Sequence, residues 1–375
     1  MRVLFCYYYA NLGGVTSVIK SRLASLFAEG IEVSACFERD FGGIADLRAH
    51  GLSDVRVTPS VERALPDLLR QAAPDVVVVF DMPEVVAPLK DAGVTVVFEI
   101  HTPTLKTLMK AAPATLELCD QILVPSEWSR NWVIEALPGA YRPEKIVVAP
   151  NIIDRDRFYP PPLGPEEPAG PPTVLWVGKI ASYKRWKDAA RIAGDVARRT
   201  GCEVVMVTGG DCSPAMTEEF LTELSANGLR EGVAWLHNLP LDAMAGLYKT
   251  CARAGGVLLS TSEAESFCLV AHEAMSCGLP IVAACAGALP ELFQGRLRDS
   301  MFVPGDLCAA VQKMERLLRS RAAWLDASEA GIRRQAMYSP GVLASRYIDS
   351  LRVLARDPAD ELAPNARASS LALGR

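Results

Sequence analysis

Short apolar runs that do not alternate with polar residues are the feature that most limits the folds open to this chain of 375 residues. Residues 76–79 are four consecutive valines, and a strand with such a sequence is buried on both faces. Because helical stretches separate these runs, the pattern predicts two doubly wound parallel α/β domains. The predicted strands span residues 3–9, 32–37, 75–80, 94–99, 121–125 and 145–149, then 173–178, 203–208, 233–236, 256–260, 280–284 and 300–303.

A proline-rich segment separates the two sets of strands. Residues 158–173 contain seven prolines in sixteen positions. Proline fixes φ and removes an amide donor, so the segment is predicted to be an extended linker. We therefore expect a first domain at residues 1–157 and a second at 174–337. Residues 357–375 have little periodicity and are predicted to form a loosely ordered tail.

Composition excludes several classes of function. The net charge is −5 and is spread along the chain, which disfavours a nucleic-acid binder and an electrostatic anchor on anionic lipid. No apolar run approaches the roughly 18–20 residues of a membrane span, so no integral membrane association is expected. The N-terminus lacks the pattern of a signal peptide. The ten cysteines form no C-x-x-C pair, so we expect reduced thiols in a cytoplasmic protein without a zinc site.

Two segments that follow predicted strands have residue types suited to a phosphate. Ligands of open parallel sheets bind beyond the carboxyl ends of the strands, and with two such domains the cleft between them is the expected site. Gly13 and Gly14 follow the first strand, where the backbone can approach an anion, although a Gly-Gly pair taken alone is more often only a turn. Lys179 and Lys184 follow the first strand of the second domain and can converge on a diphosphate, or form a solvated basic loop.

A third segment, residues 262–275, opens a helix near Leu269 whose free amides suit an anion. Glu265 and Glu273 in this segment are eight residues apart, which is about 12 Å along a helix. A glycosidase pair requires roughly 5–9.5 Å. The two carboxylates are therefore interpreted as anchors for different parts of a long ligand. A capping carboxylate and an ordinary helix glutamate remain the alternative.

Taken together, these segments resemble the signature of retaining family-four glycosyltransferases. Seven residues separate Glu265 from Glu273, and Cys277-Gly278-Leu279-Pro280 and then Gly287-Ala288-Leu289-Pro290-Glu291 follow. The resemblance extends over roughly residues 1–356. It implies the GT-B fold, in which two Rossmann-like domains face each other across a cleft, and a helix at 338–356 that crosses back to the first domain. Further matching pieces are residues 148–154, Arg157-Phe158, Gly178-Lys179 with Lys184, Gly13-Gly14, and His101.

The resemblance also implies roles for individual residues. Glu265 would contact the donor sugar, Glu273 the ribose, and Lys179 and Lys184 the diphosphate. His101 would face the sugar. The implied catalytic residues are Glu265, Lys184, Lys179 and His101, and the implied nucleotide-sugar site comprises Gly13, Gly14, Lys179, Lys184, Glu265, Ser266, Phe267, Cys268, Leu269, Val270 and Glu273.

The implied reaction is sugar transfer, with retention, from a nucleoside-diphosphate sugar to a small polar acceptor, without a metal or another cofactor. A UDP-sugar is favoured over a GDP-sugar. Two residues depart from the family pattern: Cys268 stands where glycine is usual, and Lys179 where arginine is usual. A sugar-nucleotide epimerase or hydrolase and a non-catalytic binding subunit remain the alternatives. Aromatic and acidic residues near strand ends of the first domain are candidates for the acceptor site: Tyr7, Tyr8, Tyr9, Asp81, Glu84, Glu99 and Glu127.

Overall fold

A computed structural model describes residues 1–110, 113–137, 142–162, 170–210 and 212–355. Within these ranges the chain forms two parallel-sheet domains, as the apolar runs predict. The predicted tail at 357–375 and residues 163–169 of the predicted linker lie outside the described residues.

The first domain contains a seven-stranded sheet in the order β3-β2-β1-β4-β5-β6-β7, and all neighbouring strands are parallel. Its strands are β1 (Arg2–Ala10), β2 (Glu32–Asp40), β3 (Val55–Val57), β4 (Val76–Phe80), β5 (Thr95–Glu99), β6 (Gln121–Val124) and β7 (Ile146–Val148). Its helices are α1 (Val15–Ala28), α2 (Gly43–Ala49), α3 (Val61–Ala72), α4 (Val86–Asp91), α5 (Leu105–Lys110), α6 (Pro113–Leu118) and α7 (Glu127–Ala136).

The second domain contains a six-stranded parallel sheet in the order β10-β9-β8-β11-β12-β13. Its strands are β8 (Thr173–Gly178), β9 (Glu203–Thr208), β10 (Val233–His237), β11 (Val257–Ser260), β12 (Ile281–Ala284) and β13 (Met301–Phe302). The helices that follow are α8 (Trp186–Thr200), α9 (Pro214–Ala226), α10 (Leu241–Arg253), α11 (Leu269–Ser276), α12 (Leu289–Leu292), α13 (Leu307–Arg319), α14 (Arg321–Ala336) and α15 (Pro340–Ala355). The second sheet thus has the 3-2-1-4-5-6 order of a Rossmann fold, and the first has the same order with a seventh strand added at its edge.

Successive side chains of the central strands enter different cores, which explains why their sequences are apolar without alternation. In β1, Phe5 and Tyr7 pack in a core with α1, whereas Leu4 and Cys6 pack in the core on the opposite face. A strand covered by helices on both faces needs apolar side chains at every position. The sheets are therefore rigid supports whose strand ends can hold a site.

The structure adds detail to the boundaries predicted from the sequence. Strand β3 was not predicted, because three residues at a sheet edge give too short a pattern. Ile153 and Phe158 pack in the core of the second domain, although they lie before or at the start of the predicted linker. The ring of Phe158 is buried and lies 6.1 Å from that of Tyr248 on α10. Phe158 therefore packs with the second domain. Helix α15 packs against α1 of the first domain.

Candidate active site

The carboxyl ends of both sheets face one cleft between the domains. The segments after β1 and β5 line it from the first domain, and the segments after β8, β9, β10 and β11 from the second. In each sheet the strand order reverses beside the first strand, which is where open α/β sheets bind ligands. Every residue of the predicted site lines this cleft: Gly13, Gly14, His101, Lys179, Lys184, Glu265, Ser266, Phe267, Cys268, Leu269, Val270 and Glu273.

An ion pair between Lys184 and Glu265 lies at the centre of the second domain's wall. The Nζ atom of Lys184 donates to Oε1 of Glu265 at 2.6 Å. Burial disfavours the lysine's charge, but the carboxylate of Glu265 outweighs this effect and raises the pKa of Lys184 above its usual range. Lys184 therefore remains a cation in the cleft, and its partner is the glutamate predicted to contact the sugar.

The backbone around this pair is fixed by contacts between three loops, which follow β8, β11 and β12. Thr261 Oγ1 donates to the carbonyl of Lys184 at 2.9 Å, and the amide of Ala288 donates to the carbonyl of Glu265 at 2.8 Å. Gly287, at φ 58°, lies so close to this strand end that a Cβ would be 2.3 Å from the carbonyl oxygen of Glu265. Only glycine fits this close approach. Sequence reasoning included Gly287 in a motif but did not identify this packing role.

Lys179 and the start of α11 add further positive potential to the same wall. Desolvation, followed by repulsion from Lys184, lowers the pKa of Lys179 from its ordinary value. The first intrahelical bonds of α11 run from the amides of Ala271 and His272 to the carbonyl of Cys268. Among the described contacts, the amides of Leu269 and Val270 have no partner, and the helix has no side-chain cap. Such free amides favour an anion.

Cys268 precedes α11 in a left-handed conformation, with φ 67°. An L-residue is strained in this region, whereas glycine is not. Burial, with the carboxylate of Glu265 as the next cause, raises the pKa of the Cys268 thiol well above its usual range. The thiol is therefore protonated, and it lies close enough to the carboxylate of Glu265 to be affected by its charge. Cys268, one of the two residues that depart from the family pattern, thus lies beside Glu265, the residue predicted to contact the sugar.

Glu273 lies one turn into α11 and is separated from the Lys184–Glu265 pair. Its Oε2 accepts a hydrogen bond from the hydroxyl of Tyr248 at 3.2 Å. Only 8% of Glu273 is exposed, and burial raises its pKa to about 7. A buried carboxylate with spare acceptor capacity suits ligand hydroxyl groups.

His101 is held at the cleft by two buried carboxylates of the first domain. Asp81 accepts hydrogen bonds from the amides of His101 and Thr102, each at 3.1 Å. Glu99 lies 2.8 Å from Nε2 of the ring. Across the cleft, the hydroxyl of Ser266 donates to the carbonyl of His101 at 2.7 Å. The sequence predicted His101 but did not predict these supports.

Gly13 and Gly14 form the turn between β1 and α1. The amide of Gly13 donates to Oδ1 of Asn11 at 3.1 Å, so it is used inside the turn. Gly14 has φ 56° and ψ −129°, a conformation open only to glycine, and no side chain caps α1. Among the described contacts, the amides of the first three residues of α1 have no hydrogen-bond partner.

Three of the four acidic candidates for the acceptor site are hydrogen-bonded within the first domain, and the fourth, Glu127, is exposed but does not line the cleft. Asp81 and Glu99 are buried and hydrogen-bonded within the first domain, as described above. Glu84 accepts a hydrogen bond from the hydroxyl of Tyr8 at 2.6 Å. Tyr7, by contrast, lines the cleft. The first domain thus presents hydroxyl, amide and aromatic groups to the cleft, and the acidic surface expected from the sequence is not available there.

Comparison with known proteins finds a family model that matches each domain. Residues 12–157 match the family model described as Glycosyltransferase Family 4, and residues 171–320 match that described as Glycosyl transferases group 1. Both matches support a GT-B glycosyltransferase. The Anabaena protein Alr3699/HepE, solved in complex with UDP and glucose, has the same fold, with a TM-score of 0.76 at 17% identity over 94% of this chain and 100% of that one.

Two curated relatives are similar over parts of the chain. D-inositol 3-phosphate glycosyltransferase of Acidothermus cellulolyticus is 30% identical over 44% of this chain and 39% of its own length. Alpha-maltose-1-phosphate synthase of Mycolicibacterium smegmatis is 28% identical over 47% of this chain and 46% of its own. The chain thus spans less than half the length of these two relatives. Among its described helices, none has both the length and the apolar character needed to cross a bilayer.

Proposed function

We propose that the protein is a retaining glycosyltransferase that moves a sugar from a nucleoside-diphosphate sugar to a small polar acceptor. The observation that carries the proposal is the convergence of Lys179, Lys184, Glu265, Glu273 and the free end of α11 on one interdomain cleft. This set supplies positive charge for a diphosphate and two separate carboxylates for hydroxyl groups.

The cationic groups act on the leaving group. Negative charge grows on the diphosphate as the bond between C1 of the sugar and the phosphate oxygen breaks. Lys184, Lys179 and the amides of Leu269 and Val270 stabilise this charge, which lowers the barrier of the reaction. We propose that these groups make a metal ion unnecessary. The acceptor oxygen attacks C1 from the same face, and its proton passes to the leaving phosphate.

The carboxylates position the donor. Glu265, held by Lys184, accepts hydrogen bonds from sugar hydroxyls, and Glu273 accepts them from the ribose. His101 contacts the sugar from the opposite wall. A UDP-sugar is favoured over a GDP-sugar, because the structural neighbour above binds UDP and glucose. The acceptor binds against the first domain, where neutral polar and aromatic side chains suit a polyhydroxy compound.

A screen of nucleoside diphosphates and their sugars tests the donor assignment. A ligand that binds only the folded protein raises its melting temperature by mass action, so UDP and UDP-sugars should give the largest shifts. Lys187→Ala is a matched control, because Lys187 lies three residues after Lys184 on an exposed surface and pairs with Glu219. It should retain the shift, and Lys184→Ala should reduce it.

The reaction is tested with the best donor and a panel of polyols and sugars. The anomeric configuration of the product, read by NMR, should match that of the donor, and EDTA should leave the rate unchanged. An inverted product would reject retention, and loss of activity in EDTA would reject the metal-free mechanism. Conversion of the donor without an acceptor would indicate an epimerase or hydrolase. Tight binding without turnover would indicate a binding subunit.

A further inference from the structure

Glu99 connects the ring of His101 to the helix that ends the described part of the chain. Its side chain is 1% exposed. Oε2 lies 2.8 Å from Nε2 of His101, and Oε1 accepts hydrogen bonds from Arg22 at 2.6 Å and from the hydroxyl of Tyr347 at 3.1 Å. These partners come from α1 and α15, so a side chain at the cleft depends on groups far from it in sequence.

Arg22 keeps this carboxylate ionised. Burial alone would raise the pKa of Glu99, but the guanidinium of Arg22 and the hydrogen bond with His101 outweigh it and lower that pKa to about 2. Arg22 is itself buried, and its guanidinium lies 3.9 Å from the centre of the Tyr347 ring. This cation–π contact restrains the arginine. The arginine, the tyrosine and the carboxylate therefore form one rigid cluster.

An ionised carboxylate can only accept hydrogen bonds, so it requires a proton on Nε2 of the facing imidazole. In neutral histidine the other nitrogen, Nδ1, is then an acceptor. No contact described for this structure engages Nδ1 of His101, and the residue lines the cleft. The backbone of His101 is held separately by Asp81 and Ser266, so Glu99 chiefly controls the ring.

We propose that Tyr347 and Arg22 are positioning residues for His101: by orienting Glu99 they fix the ring as the Nε2–H tautomer and reserve Nδ1 for a hydroxyl of the bound sugar. The tautomer follows from contacts within the protein alone, whereas the sugar contact rests on the proposed function. Helix α15 then supports the active site directly, in addition to packing on the first domain.

The full-length protein labelled with nitrogen-15 at histidine provides the test. His101→Asn identifies the His101 signals among those of the four histidines. At a pH where the imidazole is neutral, the wild type should show the Nε2–H tautomer. Tyr347→Phe keeps the ring against Arg22 but removes one of the two groups that orient Glu99. The carboxylate should then face Nε2 for only part of the time, so a mixture of tautomers should appear. Glu99→Gln should favour Nδ1–H, because its amide oxygen would face Arg22 and Tyr347 while its NH₂ group donates to Nε2.

Tyr248→Phe is the matched control, since it removes a hydroxyl from another buried carboxylate, Glu273. It should leave the His101 signals unchanged.

With a working assay, Tyr347→Phe should lower kcat several-fold while donor Kd stays nearly constant. The proposal would be overturned if the His101 tautomer stayed unchanged in folded Tyr347→Phe and Glu99→Gln proteins. It would also be overturned if Tyr248→Phe changed the tautomer as Tyr347→Phe does. A tautomer change in a protein that binds no sugar nucleotide would reject the proposed function and support the positioning role.

Discussion

The two walls of the cleft are built on sheets of the same strand order but differ in their chemistry. In the second domain, the strand ends carry Lys179, Lys184 and Glu265, with Glu273 on the adjoining helix. In the first, charged groups lie behind the surface, where Asp81 and Glu99 hold the loop of His101. Its glycine turn and neutral side chains form the surface itself.

This difference shows that the fold supplies the location and the loop residues supply the chemistry. A charged wall suits a diphosphate donor, whose charge must be stabilised as the bond breaks. A neutral wall can adapt its hydroxyl and aromatic groups to an acceptor and contribute orientation. The comparison gives four predictions, beginning with the largest expected effect.

The largest effect is expected from Lys184→Ala. Loss of a cation that stabilises transition-state charge typically costs about 10²–10³ in rate, and here it also leaves Glu265 without its partner. We expect kcat to fall by this factor with a smaller change in donor affinity, measured by steady-state kinetics and calorimetry.

Lys187→Ala should retain wild-type kinetics, because its side chain is exposed and outside the cleft. If Lys184→Ala kept kcat within about threefold, a transition-state role of the order expected for such a donor would be excluded. The charge of the second domain's wall would then not contribute to the rate of the reaction.

A smaller effect is expected from Glu273→Gln. Loss of a charge-assisted contact to the ribose costs about 1.5–3 kcal/mol, or roughly ten- to a hundredfold in nucleotide affinity. Because the ionised carboxylate accepts these hydrogen bonds and its pKa is about 7, wild-type affinity should fall as the pH drops through 7. The variant should lose this dependence. Equal affinities of the two proteins at pH 8 would exclude the ribose contact.

Glu273→Gln should lower nucleotide affinity but raise the free energy of unfolding of the ligand-free protein. A carboxyl whose pKa rises from 4.5 to about 7 on folding binds more protons in the folded state. Its contribution therefore becomes less favourable as pH rises through that interval, on the order of 1–3 kcal/mol in total. Without ligand, Glu273→Gln should be more stable than the wild type at pH 8 and similar near pH 4.5, as measured by urea unfolding.

An effect of similar size is expected at the glycine turn of the first domain. Gly14→Ala should destabilise the fold by about 1–3 kcal/mol, because φ 56° with ψ −129° strains any residue with a Cβ. Gly13→Ala is the matched control, since its φ is not positive and a Cβ there would meet no atom within 4 Å. Equal unfolding free energies for the two variants would show that the turn relaxes and that its geometry is not fixed.

The sequence predicted the charged wall better than its neutral counterpart. Its charged residues follow a strand or lie near the start of a helix: Lys179, Lys184, Glu265 and Glu273. Local spacing is enough to bring them to the carboxyl edge of one sheet. The supports of His101 could not be found in this way. Tyr347 is 248 positions from Glu99, and no local pattern relates them. The acidic residues near strand ends were expected at the acceptor site, but burial and hydrogen bonding engage Asp81 and Glu99.

The sequence by itself determined the two parallel sheets, because runs such as residues 76–79 can be buried only between layers of helices. It also determined which strand ends carry charge. Only the tertiary structure decided which charges face a ligand and which are paired inside the protein. Pairing depends on distances of 2.6–3.1 Å around Glu99 between residues on β5, α1 and α15. Such distances arise when the helices pack, and a linear pattern does not contain them.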